Sequence, residues 1–323
     1  MNYRQIIGEA WNFTQENKKL IVWYAFIPSF LGTAVGVIYL AYQFYAFKSS
    51  PLFENWSESF TVVALKAIFN AFRDHIDSAI PFIVAGVILG LMYLFMPPMT
   101  EGAMIQLIAR KKGQQDVRIR DGLKYGFFYF LPLFSYSLIA RTFSVVSIVG
   151  EAGFVLRNLG PDTFETLLPI LGIMLVVSLI FMVLFVFAEY YIVIDDTKVT
   201  EAMAKSSILV MKHWGTAFMV SILMFFIGIR ILIQIVFVLL VPVGVLMGIF
   251  YFAASALPDI GVFVGSGLGI LALFFASIPW RHYSRFTTTV WVFTFLISQR
   301  LQKLMPGDRL LRVVGGEGGE EHH

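Results

Sequence analysis

Six stretches of the chain, at roughly 20 to 47, 80 to 109, 126 to 156, 167 to 194, 214 to 250 and 262 to 299, consist mainly of apolar residues and run to about 20 residues or more. At about 1.5 Å per residue each is long enough, as a helix, to cross a hydrocarbon core of about 30 Å. Nothing else in the sequence restricts the fold so strongly. Of the 323 residues 58% are hydrophobic and 14% charged, with a mean hydropathy of +0.77, far from the balance of a water-soluble domain. The expectation is an all-α, polytopic membrane protein with about six transmembrane helices. The fifth and sixth runs are too long for one straight crossing. Pro242 and Pro279 are the candidate kink points, each removing a backbone donor. An eight-segment division with short re-entrant pieces is the alternative.

Positive charge is distributed unevenly about these spans. With six crossings, one side holds Arg4, Lys18, Lys19, Arg110, Lys111, Lys112, Arg118, Arg120, Lys124, Lys198, Lys205, Lys212, Arg300, Lys303, Arg309 and Arg312, and the other only Lys48, Lys66, Arg73 and Arg157. The positive-inside rule then puts both termini in the cytoplasm. A bacterial cytoplasmic (inner) membrane is the expected location. The first apolar run starts near Leu20, behind a polar amphipathic stretch, the wrong order for a cleaved signal peptide. The sequence contains no cysteine, which excludes disulfides, thiol catalysis and thiolate metal sites.

Between two of the most apolar runs lies "DDTKVTEAMAKSSILVMKHWG", residues 195 to 215. At 3.6 residues per turn Val199, Ala202, Met203, Ser206 and Val210 share one face, and Lys198, Glu201, Lys205 and Lys212 another. Glu201 precedes Lys205 by four, the favourable order for a helical ion pair, and Asp196 or Thr197 can cap the start. The stretch reads as a helix lying in the cytoplasmic interface, lysines toward anionic headgroups. "YRQIIGEAWNFT", "IRDGLKYGFFYF" and "VTEAMAKSSILV" align without gaps and put Ala10, Gly126 and Ser206 at one small-residue position. Three units follow, at about 1–112, 117–197 and 198–305, each an interfacial helix leading into a helical hairpin. Together they make one membrane domain over 1–305, with a flexible cytoplasmic tail at 306–323.

"VIDDTKVTEAMAKSSILVMKHWG", with Glu201, Ala202 and Ser206 following an apolar span, and the opening "EAWNFTQENKKLIVWY" resemble a bacterial membrane-domain family. That family includes the membrane portion of some glycerophosphodiester phosphodiesterases and stand-alone relatives of uncharacterised function. The resemblance implies a helical membrane fold. It does not bring the phosphodiesterase activity, because no such catalytic domain follows residue 305; near the end the chain reads "FTFLISQRLQK", where the family often carries a Tyr and an Asp-Leu-Arg run.

Ionisable groups at membrane depth are costly and point to function. Arg141, Arg230, Arg281 and Arg285 fall within the spans, as do Glu101 and Glu189. Arg281 and Arg285 share a helix face, flanked by His282, and suggest a site for a phosphate or carboxylate, most simply an anionic lipid headgroup. Arg141 and Arg230 join them as candidate anion ligands, and Glu101, Glu151 and Glu189 are candidate ion-pair partners. Gly261, Gly265 and Gly269, with a weaker stripe at Gly86 and Gly90, have the spacing of close helix packing. Residues 60 to 75 form an amphipathic pattern for the outer surface or a partner. His322 and His323 are read as incidental. No metal site, cofactor or nucleic-acid partner is expected, and the HExxH and GxSxG motifs are missing. The expected role is a non-enzymatic membrane scaffold or accessory subunit that binds anionic lipid and a membrane-protein partner or a second copy. A transporter, channel or lipid-handling protein using the buried arginines is the alternative. Cysteine labelling should find Lys112 and Lys205 on one side of the membrane and Trp56 on the other; Lys112 and Lys205 on opposite sides would sink the six-crossing layout.

Overall fold

The computed structural model describes residues 3–48, 76–253 and 258–304 and the isolated positions 62, 65, 66, 69, 70 and 73. Among the described residues every regular element is a helix. In chain order these are α1 (Tyr3–Glu16), α2 (Lys18–Lys48), α3 (Ile76–Lys112), α4 (Ile119–Thr142), α5 (Val145–Asn158), α6 (Pro161–Leu184), α7 (Ala188–Ile194), α8 (Val199–Lys212), α9 (Trp214–Ala253) and α10 (Pro258–Leu304). Four stretches are long and apolar enough to cross a membrane: Lys18–Tyr39, Ile83–Lys112, Pro161–Ile194 and Trp214–Gln234. The pair α4 and α5, bent by 46°, makes a fifth if counted as one span. Large apolar side chains such as Phe127 (76% exposed) and Val146 (78%) point outward. That is the surface of a protein solvated by lipid rather than water.

The best-packed region gathers the lower ends of several helices. Ile105, Leu107 and Ile108 of α3, Ile192 and Val193 of α7, Leu209 and Val210 of α8 and Phe293 and Phe295 of α10 are all buried in one cluster. Edge-to-face ring contacts bind it, Phe187 with Trp291 at 5.6 Å and Tyr191 with Phe295 at 4.8 Å. α1 packs along α10, and the Thr14 hydroxyl donates to the Ala10 carbonyl at 2.7 Å and lies 3.2 Å from the Thr289 hydroxyl.

Two of the expected spans are broken. The third is interrupted at Phe143, where Ser144 caps α5 by accepting from the Ser147 amide at 3.1 Å. The Phe143 carbonyl released by the break accepts from Ser178 at 2.6 Å. The fourth is interrupted between Leu184 and Ala188. There the Ser206 hydroxyl donates to the Leu184 carbonyl at 2.7 Å and accepts from the Phe187 amide at 3.1 Å, while Tyr136 donates to the Phe185 carbonyl at 3.0 Å. Helix breaks at membrane depth are tolerated only where other groups satisfy the backbone in this way.

The expectations for 195 to 215 hold in part. Ala202, Ser206 and Val210 are buried and Glu201 pairs with Lys205 at 2.7 Å. The helix starts one residue later than read: Lys198 occupies the cap position without a side-chain bond, and Asp196 takes a left-handed turn at φ 52°. Of the three aligned stretches, α1 and α8 are separate helices that end at Glu16 and Lys212, but the middle one is the first half of the continuous helix α4. Ala10, Gly126 and Ser206 are nevertheless all buried. The pattern at 60 to 75 lies mostly outside the described residues, as do the tail and His322 and His323.

The weaker glycine stripe does not pack closely within the chain. Gly86 and Gly90 are exposed, and a methyl group on either would meet nothing within 4 Å. Side-chain packing around Gly261, Gly265 and Gly269 lies outside the described part of α10. Close approach occurs instead where α3 meets α4 and α2: a Cβ on Gly126 would collide with the Met99 carbonyl oxygen, and one on Gly122 would lie 2.6 Å from the Tyr24 ring. Gly126→Leu should therefore prevent assembly, whereas Lys124→Leu, two residues away on the exposed face, should not. Ser206→Ala should cost about 1–3 kcal/mol, the usual effect of orphaning buried backbone groups, measured by thermal unfolding in detergent; no loss would mean that the break satisfies itself.

Candidate functional site

α10 carries the expected arginines, and its neighbours determine their surroundings. Arg285 is buried (4% exposed), Arg281 is half-buried, and His282 is exposed between them. The Arg285 Nη2 lies 2.6 Å from the His282 Nδ1, which accepts in the neutral imidazole. The Arg281 guanidinium sits over the Phe26 ring of α2 at 5.5 Å from its centroid, a cation–π contact. Tyr283 holds α10 to α9 by donating to the Met224 carbonyl at 3.1 Å. Its hydroxyl lies 2.9 Å from where a Cβ on Gly228 would be. These contacts leave much of the arginines' capacity unused: the Nε atoms of Arg281 and Arg285 and the Thr287 hydroxyl are buried without a hydrogen-bond partner.

No carboxylate pairs with Arg281 or Arg285 among the described residues. Glu151 is exposed on α5. Glu101 of α3 neighbours Glu189 of α7 instead. Arg141 lies within electrostatic range of Glu101, and Tyr136 and Tyr190 stand close to both acids. Ion pairing of Glu101 or Glu151 with the α10 arginines is thus replaced by an acid–acid contact. Placement accounts for this: α7 packs Phe187, Tyr190 and Tyr191 against α10, while Glu189 neighbours α3.

The remaining expected residues stay apart from this group. Arg141 is exposed over the Tyr93 ring at 5.8 Å, and Arg230 is exposed on α9. Arg157, which the sequence placed in an outer loop, is buried with its guanidinium on the Gln43 side chain and its Nε unpartnered. Its only sequence signal was its place at the end of an apolar run. At the end of α8, burial and then the adjacent Lys212 charge hold the His213 imidazole below its usual range. Among the described residues no group of three or more His, Cys, Asp or Glu could hold a metal ion.

No protein-family model, curated protein or solved structure matches the chain. The acid–acid contact yields a direct expectation. Glu189→Gln should be tolerated, since an amide can donate to the neighbouring Glu101 carboxyl, whereas Glu189→Ala should cost about 1–3 kcal/mol by leaving the half-buried Glu101 without that neighbour. Thermal unfolding in detergent compares the two; equal losses would show that the acids do not depend on each other.

Proposed function

We propose that the protein is a non-enzymatic scaffold or accessory subunit of a bacterial cytoplasmic membrane that binds an anionic lipid through Arg281 and Arg285. The observation that carries this reading is a guanidinium pair on α10, one member buried, with unused donors and, among the described residues, no carboxylate beside it. A charged arginine at the centre of a membrane helix costs about 2.5–3.5 kcal/mol on insertion scales. A phosphate or carboxylate received by two planar donor forks offsets that cost. The reading includes six crossings in three hairpin units, both termini in the cytoplasm by the lysine and arginine bias, and kinship with the membrane domains that the opening stretches resemble. A membrane-protein partner or a second copy is part of the scaffold role.

The contact of Glu101 with Glu189 favours a second reading, a transporter or lipid-handling protein, because acid pairs at membrane depth serve proton relays. Reconstituted vesicles in which Glu189→Gln abolishes a proton-coupled flux would favour it over the scaffold.

For the first reading, replacing both Arg281 and Arg285 by Gln should remove retained anionic lipid in native mass spectrometry while the delipidated protein melts as before. Unchanged lipid retention with a large loss of stability would make the arginines structural and overturn the proposal.

A further inference from the structure

A cavity of about 550 Å³ opens where the end of α3 meets the end of α10, within the range of small-ligand sites, roughly 300–1,000 Å³. Phe293, Leu296, Ile297 and Arg300 line it from one face of α10, and Lys112 and Gly113 close it from α3. Going outward, this face passes from buried Phe293 through half-buried Leu296 and Ile297 to exposed Arg300. The wall is apolar at its base and cationic at its rim.

The charges at the rim are not equally committed. Arg110 is engaged elsewhere, with Gln106 at 2.9 Å, Gln115 at 3.3 Å and the Tyr125 ring at 4.6 Å. Lys112 sits over the Phe293 ring at 4.3 Å and reaches Glu9 of α1 at 3.2 Å. Arg300 meets no carboxylate among the described residues. Gln299, also on the lining, is bonded to Asp195. No acidic side chain lines the cavity; the acid that competes for its cations is Glu9.

We propose that this cavity binds the phosphodiester headgroup of an anionic glycerophospholipid from the leaflet at this end of the bundle. Arg300 and Lys112 receive the phosphate, and Leu296 and Ile297 receive the first carbons below it. A free phosphate would use the cations but gain nothing from the apolar wall, and a zwitterionic headgroup would bring its own cation to the rim. Arg300 stands 15 residues beyond Arg285, about 22 Å along the helix at 1.5 Å per residue, so this site is distinct from the arginine pair and goes beyond it. Glu9 acts as an internal competitor that the phosphate displaces from Lys112.

Because the chain contains no cysteine, Gly113→Cys provides a unique attachment point for a polarity-sensitive dye. A Cβ there would lie 3.4 Å from the nearest atom, an ordinary contact. Titrating the detergent-solubilised full chain with phosphatidylglycerol should give a saturable emission shift, and phosphatidylcholine or inorganic phosphate at equal concentration should not. Arg300→Gln with Lys112→Gln should weaken the apparent affinity by about tenfold or more, from about 1 kcal/mol for each basic residue at a membrane surface. Glu9→Gln should strengthen it. The Arg281→Gln, Arg285→Gln protein should titrate unchanged, so failure here is distinguishable from failure of the first site. Lys112 and Arg300 are both exposed, and an unchanged melting temperature checks that their variant is folded. An equal shift with phosphatidylcholine or inorganic phosphate, or an undiminished shift in the Arg300 and Lys112 variant, would overturn the proposal, as would a shift abolished by the Arg281 and Arg285 change.

Discussion

A backbone group released from a helix within hydrocarbon has no water to turn to, and leaving it unpaired costs several kcal/mol. The breaks in this molecule are possible because side chains from elsewhere fill the vacancies. Ser206 bridges Leu184 and Phe187, Tyr136 takes the Phe185 carbonyl, and Ser178 takes that of Phe143. The same device reaches the end of α7, where the Gln106 amide is bonded to the Val193 carbonyl. These bonds fix the orientation of α7, and α7 fixes where Glu189 points. Glu189 lies within about a turn and a half of these bonds, beside Glu101 of α3.

The molecule also divides into two environments. Toward the charge-rich ends of α3, α8 and α10 the helices are joined by a dense core of aliphatic and aromatic side chains. Farther along, α6 is apolar on nearly every face and buries only Ser178 fully, which fits an element surrounded by lipid. Polar chemistry lies along the boundary: the arginine pair where α10 meets α2 and α9, the acids where α3 meets α7, and the cationic cavity at the rim of the core.

How much of this the sequence disclosed depended on whether the signal was local. The buried face of α8 and the Glu201–Lys205 pair follow from helical period and spacing within one segment, and both were readable. The breaks at Phe143 and Phe185 were not, because neither contains a proline or glycine and the groups that permit them come from other helices. Gly86 and Gly90 fit the small-residue spacing within one helix, but close packing arose from Gly102, Gly122 and Gly126, which meet across different helices. Arg281 and Arg285 were visible as charges in an apolar run. That Glu101 would neighbour Glu189 instead of these arginines was not, since the contact joins α3 and α7.

The bond between Ser206 and Leu184 also bears on biogenesis. The two residues are 22 positions apart in the chain, so Leu184 leaves the ribosome well before the hydroxyl that completes it. During that interval the broken segment cannot settle in hydrocarbon with its backbone satisfied. The span over Pro161–Ile194 is thus completed by a helix synthesised after it.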